Sequence, residues 1–405
     1  MRSLVKQRGR SGGLILPLCF CEIAGMAGVS SFAAVLPFFV RTWGLTNTQA
    51  GWIGGVFYGG YTAAVPLLVS LTDRMDPRRI YLFSTALGGA AALAFALFAD
   101  GFWSAMAFRA LAGVGLAGTY MPGLKALADR YEGAAQARAV AFYTSSFGVG
   151  GSASYVLTGL VDAYAGWRWA FAAAAGGSAI AYIVADRLLR RAPAGRLSQG
   201  EKPLRLFDMR HVPLDRTILA CVIAYAAHNF ELFGFRAWIA AFLAFSASLS
   251  GSGETSANAA LVAAAVTIVS LPGSIFGNEI ALRLGRRRTI MTVMALSAVM
   301  ACFVGFVARS PFAAVVATTL AYGALVSADS AALTSSLLAS GDPRFRGAIM
   351  ALYSCVGFVG AFLGPLIFGV ALDIAGSQRV LGWVAGFAAM RAGVAIGPIA
   401  LPSAS

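Results

Sequence analysis

Charged residues are scarce in this chain of 405 residues. Asp, Glu, Lys and Arg make up only 12% of it, whereas hydrophobic residues make up 59% and the mean hydropathy is +0.75. Soluble globular domains carry about a quarter charged residues. The composition therefore excludes an ordinary soluble domain and predicts a protein whose surface faces lipid.

Side chains that bind metals or act as nucleophiles are also sparse. The chain has two histidines, and its five cysteines all lie inside apolar runs. Neither residue type occurs at the spacing of a zinc site, and buried cysteines usually pack as small apolar side chains. We therefore expect no metal and no cofactor, and we predict that the protein is not an enzyme.

Apolar runs long enough to cross a bilayer occupy most of the chain. A membrane helix needs about 20 apolar residues, and the alternating pattern of membrane β-strands is absent. We predict an all-α membrane protein with 12 transmembrane helices. Spans 1 to 6 are predicted at Leu14–Val40, Gln49–Leu71, Ile80–Ala99, Phe102–Leu127, Ala137–Val161 and Trp167–Leu188. Spans 7 to 12 are predicted at Thr217–Phe245, Ala257–Leu282, Thr289–Ala308, Pro311–Leu338, Gly347–Leu372 and Val380–Ala400.

One polar segment divides the chain into halves of similar length. Residues 187–216 contain eight basic residues and three prolines, with no apolar run that could be buried. We predict a cytoplasmic central loop there, an N-terminal six-helix bundle at residues 1–186 and a C-terminal six-helix bundle at residues 217–405. The loops after spans 2 and 8 share their basic residues, which indicates that the bundles are repeats related by pseudo-two-fold symmetry.

Positive charge is concentrated in alternate loops. With the N-terminus in the cytoplasm, 23 of the 31 Lys and Arg residues lie in loops on that side and 4 lie in loops on the other side. The positive-inside rule then predicts a multi-pass protein of the plasma (inner) membrane with both termini cytoplasmic. Nucleic-acid binding is not expected, because the charge is spread over loops that flank the membrane and is not gathered on one face.

Two motifs carry a family resemblance. An acidic–basic loop, Asp73-Arg74 with Arg78-Arg79, follows span 2, and span 4 contains Arg109-Ala-Leu-Ala-Gly-Val-Gly. With these motifs the chain resembles the major facilitator superfamily over essentially its whole length. The resemblance implies two six-helix halves that rock about a central solute site, and it implies a role in coupling for Arg109. No proline follows Gly148 in span 5, and this departure from the family pattern weighs against drug–proton antiport.

The loop after span 2 is a predicted conformational latch that consists of Asp73, Arg74, Arg78 and Arg79. A carboxylate among guanidinium groups can join helix ends by charge-assisted hydrogen bonds and release them when the halves move. The alternative is that these residues are solvated determinants of topology.

Ionisable residues inside the spans are the candidates for binding a solute or a proton, because an unpaired charge at the bilayer centre costs at least about 2.5–3.5 kcal/mol. The candidates are Glu22 in span 1, Arg109 in span 4, Asp329 in span 10, and His228, Asn229, Glu231 and Arg236 in span 7. A helical rise of about 1.5 Å per residue places the two arginines toward the outer face, the acids of spans 1 and 10 toward the cytoplasm, and the pair His228 and Glu231 between them.

Two interpretations of span 7 remain open. In the first, His228 and Glu231 line a central cavity and Glu231 carries a coupling proton. In the second, Glu231 is a static ion-pair partner of Arg109 across the two halves. Arg391 falls near the centre of span 12, and the sequence identifies no partner for it.

The intramembrane charges favour a secondary transporter that moves a small solute by alternating access. The arginines give a slight preference for a small anion, and the acids favour coupling to protons. The alternatives are a membrane sensor or assembly partner with the same fold, and a passive channel. A sensor need not keep charges of both signs in four spans, and no ring of repeated polar positions supports a channel. The expected partners are a small-molecule substrate, protons and the lipid bilayer, and we expect a monomer.

Overall fold

The computed structural model describes residues 13–71, 75–128, 130–131, 133–191, 215–251, 255–340 and 346–394. Within these ranges the regular secondary structure is helical, and no strand occurs. Helices occupy all twelve predicted spans, which confirms the all-α membrane fold. Seven helices of the described residues are long and apolar enough to cross a bilayer.

The first half begins with a discontinuous span. Span 1 was predicted as one helix, but it consists of three helices, Ile15–Gly25, Ser31–Ala34 and Leu36–Trp43. Residues 26–30 form turns, and Pro37, the second residue of the third helix, has no N–H to continue the ladder from the preceding helix. Spans 2 to 6 are the helices Asn47–Leu71, Pro77–Phe98, Phe102–Ala128, Gly133–Ala165 and Trp167–Arg191.

Span 10 in the second half is also discontinuous. It consists of the helices Phe312–Val326 and Ser330–Ser340, and the residues between them, 327–329, form a turn. The turn has the sequence Ser-Ala-Asp, and serine and aspartate side chains compete with the helical backbone for hydrogen bonds. The other spans of this half are the helices Arg216–Ser250, Ser256–Leu284, Arg286–Val304 with the 3-10 helix Phe306–Arg309, Arg346–Ala375 and Val380–Val394.

Two pairs of helices make the most extensive contacts between the halves in the described part of the chain. Span 2 packs against span 11, and span 5 packs against span 8. A Cβ atom added at Gly51 or Gly55 of span 2 would lie 2.5 Å or 2.3 Å from a carbonyl oxygen of span 11. Larger side chains at these glycines would therefore force the halves apart. The boundary between the halves at 187–216 stays a prediction, because most of that loop lies outside the described residues.

Large apolar side chains cover the outside of the molecule. Leu67 is 70% exposed, Trp103 is 79% exposed and Phe276 is 67% exposed. Such a surface fits hydrocarbon, whereas the buried polar residues are the exception in this protein and need partners. The functional site is therefore to be found among the enclosed polar groups.

Candidate functional site

Arg109 of span 4 lies beside the break in span 1. Its Nη1 and Nη2 atoms donate hydrogen bonds to the carbonyl oxygens of Gly28 (3.2 Å) and Val29 (3.1 Å). Its guanidinium carbon lies 4.4 Å from the centre of the Phe57 ring. Carbonyl groups in a turn lack regular helical partners and need other donors when they are buried. The structure therefore uses Arg109 to satisfy the backbone, and it does not pair Arg109 with Glu231.

Span 5 holds the same break from the other side. The Ser154 hydroxyl accepts a hydrogen bond from the backbone N–H of Ser30 (3.0 Å) and donates one to the carbonyl oxygen of Ala27 (2.7 Å). The Ser30 hydroxyl donates in turn to the carbonyl oxygen of Gly151 (3.0 Å). The turn at 26–30 is thus a hydrogen-bonded part of the structure.

Arg236 of span 7 is a cation without such partners. In the part of the chain that the structure describes, its guanidinium group makes no hydrogen bond and no ion pair. The ring of Phe233 is the aromatic group below it, with 5.7 Å between the guanidinium carbon and the ring centre. The Tyr155 hydroxyl donates a hydrogen bond to the backbone carbonyl of Arg236. The backbone at this position is therefore tied to span 5, while the side-chain donors remain available.

Both arginines line one cavity between the halves, whose empty space is about 580 Å³ when its open mouth is included. Spans 1, 2, 4 and 5 line it from the first half, and spans 7 and 8 line it from the second. None of its described lining residues is acidic. A low-dielectric cavity with cations and no carboxylate has a positive potential and attracts anions. The sequence placed the two arginines at a similar depth, and the structure brings them to one site.

Glu231 is buried in the second half, away from both arginines. It is 2% exposed, and its Oε1 atom accepts hydrogen bonds from the hydroxyls of Ser297 in span 9 (2.5 Å) and Tyr322 in span 10 (2.7 Å). These hydroxyls hold the carboxyl group in one orientation. Glu231 does not line the cavity between the halves.

His228 lies against Asp329 of span 10, a contact that the sequence did not suggest. The Nδ1 atom of His228 and the Oδ1 atom of Asp329 are 2.8 Å apart, and the two side chains are 1% and 3% exposed. Neither atom has the orientation of a regular hydrogen bond, so the contact is an ion-pair distance without good hydrogen-bond geometry. Asp329 occupies the turn of span 10, where the backbone can place a short acidic side chain against span 7. Neighbouring Asn229 is also buried, and its Nδ2 atom has no hydrogen-bond partner among the described residues.

Glu22 is the buried acid of the first half and is 1% exposed. Its Oε2 atom accepts a hydrogen bond from the Tyr143 hydroxyl (2.9 Å), and its Oε1 atom has no partner among the described residues. No described Lys, Arg or His side chain forms an ion pair with it. Glu22 is not among the residues that line the cavity between the halves.

The structure describes one part of the predicted latch. Asp73 and Arg74 lie outside the described residues. Arg78 forms an ion pair with Asp186 of span 6, whose other carboxylate oxygen is 2.9 Å from Arg190. Arg79 is exposed.

Arg391, which had no identified partner, lies in the last turn of the helix Val380–Val394 and is exposed. Its Nη1 atom is 3.4 Å from the Cys302 sulfur. The guanidinium group of Arg391 therefore lies near the end of the described helix and not in the middle of the bundle.

Sequence reasoning missed a hydrogen-bonded contact between the halves. The carboxylate of Asp373, near the end of span 11, accepts hydrogen bonds from the backbone N–H groups of Asn47 (2.9 Å) and Thr48 (2.7 Å) at the start of span 2. It also accepts from the side chains of the same two residues at 2.7 Å and 2.6 Å. A carboxylate is favoured at a helix N-terminus. The signal that could have found it is the aspartate near the end of span 11, which corresponds to Asp162 near the end of span 5 if the halves are repeats.

Comparison with known proteins extends this description. A bacterial homologue of the human lysosomal transporter spinster, solved in an inward-facing and unoccupied conformation, aligns with a TM-score of 0.74 and 16% identity over 96% of this chain and 94% of that one. The nucleoside transporter NupG aligns with a TM-score of 0.76 and 13% identity, over 96% of this chain and 99% of that one. At such identities these likenesses concern the fold.

The sequence is also similar to curated transporters. Protein spinster homolog 1 from Homo sapiens is 24% identical over 58% of this chain, and the match spans 46% of the human protein, less than half its length. A probable transporter from Streptomyces coelicolor is 28% identical over 93% of this chain and 88% of that protein. The family model for the Major Facilitator Superfamily matches residues 18–257, which is more than half of the sequence. The chain belongs to the major facilitator superfamily.

Proposed function

We propose that this protein is a secondary transporter that moves a small organic anion by alternating access. The observation that carries the proposal is the free guanidinium group of Arg236 in a cavity between the halves whose described lining residues include no acid. A buried cation without a partner is costly, and an anionic solute would supply the missing partner. The bidentate donor geometry of arginine suits a carboxylate.

The names of the relatives do not indicate one class of substrate. They are named for niacin, for unspecified metabolites and, in the structural comparison, for nucleosides, which are chemically different solutes. The anion is therefore inferred from the charge of the cavity.

We further propose coupling to protons through the acid–histidine cluster, which consists of His228, Glu231 and Asp329. The cluster contains two buried carboxyl groups and one imidazole, and no Lys or Arg of the described residues is paired with them. Buried charges need compensation, and a proton is a cation small enough to provide it. Glu231 remains the first candidate for the coupling proton, Asp329 the second and Glu22 the third.

The remaining parts of the proposal follow from the sequence. They are a plasma (inner) membrane location with cytoplasmic termini, a monomeric state, and a latch at Asp73, Arg74, Arg78 and Arg79. The ion pair between Arg78 and Asp186 supports a role for the loop in fixing helix ends.

Uptake into proteoliposomes tests the function. We expect saturable, pH-gradient-dependent uptake of labelled carboxylates from a panel of acetate, lactate, succinate and benzoate, with no uptake of glucose. Arg236→Lys should raise the apparent KM about tenfold, because an ammonium group cannot reproduce the bidentate contact. Arg41→Lys is the matched control, since Arg41 is exposed at the end of span 1. An absence of carboxylate uptake, or an unchanged KM in Arg236→Lys, would contradict the proposal and favour a non-transporting sensor or structural arginines.

A further inference from the structure

The cavity between the halves is rich in aromatic side chains. Six of its 18 lining residues are aromatic, whereas aromatic residues make up 12% of the chain. They are Phe32, Tyr58, Phe147, Tyr155, Phe233 and Trp238. Aromatic rings bind other rings in offset or edge-to-face arrangements and gain more than their buried area alone would give. The lining therefore favours a ligand with a flat ring.

The guanidinium group of Arg236 lies over the ring of Phe233. Phe233 is one helical turn before Arg236, and its ring lies 4.4 Å from that of Tyr58, between ring centres. Tyr58 belongs to span 2 and Phe233 to span 7, so the aromatic pair includes one ring from each half. The small residues Ala50, Gly54 and Ala237 also line the cavity. A ligand ring beside Phe233 would place an attached carboxylate within reach of Arg236.

The available hydrogen-bonding groups exclude a polyhydroxylated ligand. The Thr267 hydroxyl donates to the Ala263 carbonyl, the Tyr155 hydroxyl to the Arg236 carbonyl and the Ser30 hydroxyl to the Gly151 carbonyl. The Tyr58 hydroxyl is the lining hydroxyl that makes no hydrogen bond within the described ranges. A sugar would leave several of its hydroxyls unsatisfied, which costs about 1–3 kcal/mol for each buried group.

The free donors of the two arginines determine how many carboxylate groups we expect in the ligand. Both Nη atoms of Arg109 donate to the backbone of span 1 and only its Nε–H is without a partner among the described residues, whereas the whole guanidinium group of Arg236 is without one. Arg236 can therefore bind one carboxylate in bidentate geometry, and a second carboxylate would find the Nη donors of Arg109 already bonded to carbonyl groups. We infer that the ligand of this cavity is a planar aromatic monocarboxylate, an inference that rests on the proposed anion transport.

Binding to the purified full-length protein in lipid nanodiscs tests this substrate class by calorimetry. Benzoate is the probe, cyclohexanecarboxylate is the saturated match, benzamide is the neutral match and succinate is the dianion. We expect benzoate to bind about 3- to 10-fold more tightly than cyclohexanecarboxylate, the range expected of one aromatic contact. Benzamide and succinate should each bind at least about tenfold more weakly than benzoate, because the first lacks the charge and the second has a carboxylate without free Nη donors and no ring.

Two variants distinguish the contribution of the aromatic ring to binding from that of the positive charge. Phe233→Leu should remove the preference for benzoate over cyclohexanecarboxylate while anions still bind, and Arg236→Gln should weaken both carboxylates about equally. Phe142→Leu is the matched control, because Phe142 is 56% exposed and lies outside the cavity lining. Equal affinities for benzoate and cyclohexanecarboxylate, or tighter binding of succinate, would overturn the inference and leave anion transport standing. If none of the carboxylates binds, the proposed function fails as well.

Discussion

The two halves of the molecule contain the same kinds of parts and connect them differently. Each half has one discontinuous span, at residues 26–30 in span 1 and at 327–329 in span 10. In the first half, an arginine donates to the carbonyl groups of the break. In the second half, the break carries an aspartate that contacts a histidine, and the arginine of span 7 makes no hydrogen bond or ion pair among the described residues.

The two buried glutamates, one in each half, also differ in their surroundings. Glu22 in span 1 and Glu231 in span 7 each accept a hydrogen bond from a tyrosine hydroxyl of their own half. Glu22 has no histidine and no second acid beside it in the described structure, whereas Glu231 shares its half with His228 and Asp329. The first half thus uses Arg109 to hold its backbone, whereas the second half leaves Arg236 without such a bond among the described residues, which supports the proposed roles in solute and proton binding.

The largest effect is expected at the arginines. Arg109→Leu would leave the carbonyl group of Val29 buried without a donor among the described residues, whereas that of Gly28 keeps the N–H of Ser31. We therefore expect a loss of about 1–3 kcal/mol in the free energy of unfolding. Arg236→Leu removes no hydrogen bond or ion pair of the described structure and should change that free energy by less than about 1 kcal/mol. Chemical unfolding of both variants in the same detergent measures the difference. Equal losses would show that the two arginines have the same structural role.

The sequence alone would not predict different effects for the two arginines, and the reason is physical. Apolar length and loop charge predicted the spans, because a bilayer imposes both. The same criteria could not predict the breaks in spans 1 and 10, since a Gly-Ser or Ser-Asp segment of a membrane helix is often continuous when neighbouring helices satisfy its backbone. Without the break at 26–30, Arg109 has no carbonyl groups to bind and resembles Arg236.

The sequence also could not predict which side chains of the site contact each other. The spacing of His228 and Glu231 within span 7 is visible in the sequence, and it suggested a pair. Asp329 comes from a distant span, and only the turn at 327–329 brings it to 2.8 Å from the imidazole. Residue types and depths could therefore be predicted, but contacts between spans depended on the local backbone.

The second prediction tests whether proton coupling belongs to one half. Glu231→Gln keeps the Oε1 acceptor for Ser297 and Tyr322 but cannot exchange a proton. We expect it to retain solute exchange between two loaded compartments. Accumulation driven by a pH gradient of one unit should fall from about tenfold to none. Glu22→Gln, the matched change in the first half, should retain accumulation.

Proteoliposomes loaded with a labelled carboxylate distinguish the outcomes. Accumulation that is lost in Glu22→Gln and kept in Glu231→Gln would move the coupling site to the first half. Loss of exchange in Glu231→Gln would identify this residue as a ligand of the solute.

The smallest effect is expected at the ends of spans 2 and 11, where the halves meet. Asp373 caps the N-terminus of span 2, and Asp73, which follows the C-terminus of span 2, is predicted to hold the opposite face. If both are latches, Asp373→Ala should favour opening at the face where span 2 begins. Asp73→Asn should instead reduce turnover while the protein still inserts in the membrane.

Labelling of a cysteine introduced by Ala50→Cys measures the opening at Asp373, because Ala50 lies in the first turn of span 2 and lines the cavity. The four hydrogen bonds of Asp373 lie in an exposed position, so the carboxylate contributes about 1 kcal/mol, as a helix cap does. We therefore expect Asp373→Ala to raise the labelling rate about fivefold over the same protein with Asp373 intact. Asp162→Ala is the control, since Asp162 lies near the end of span 5 and its carboxylate makes no hydrogen bond within the described residues. Equal labelling rates in the two variants would show that the Asp373 contact does not restrain the halves, and that the packing of spans 2 and 11 closes this face without it.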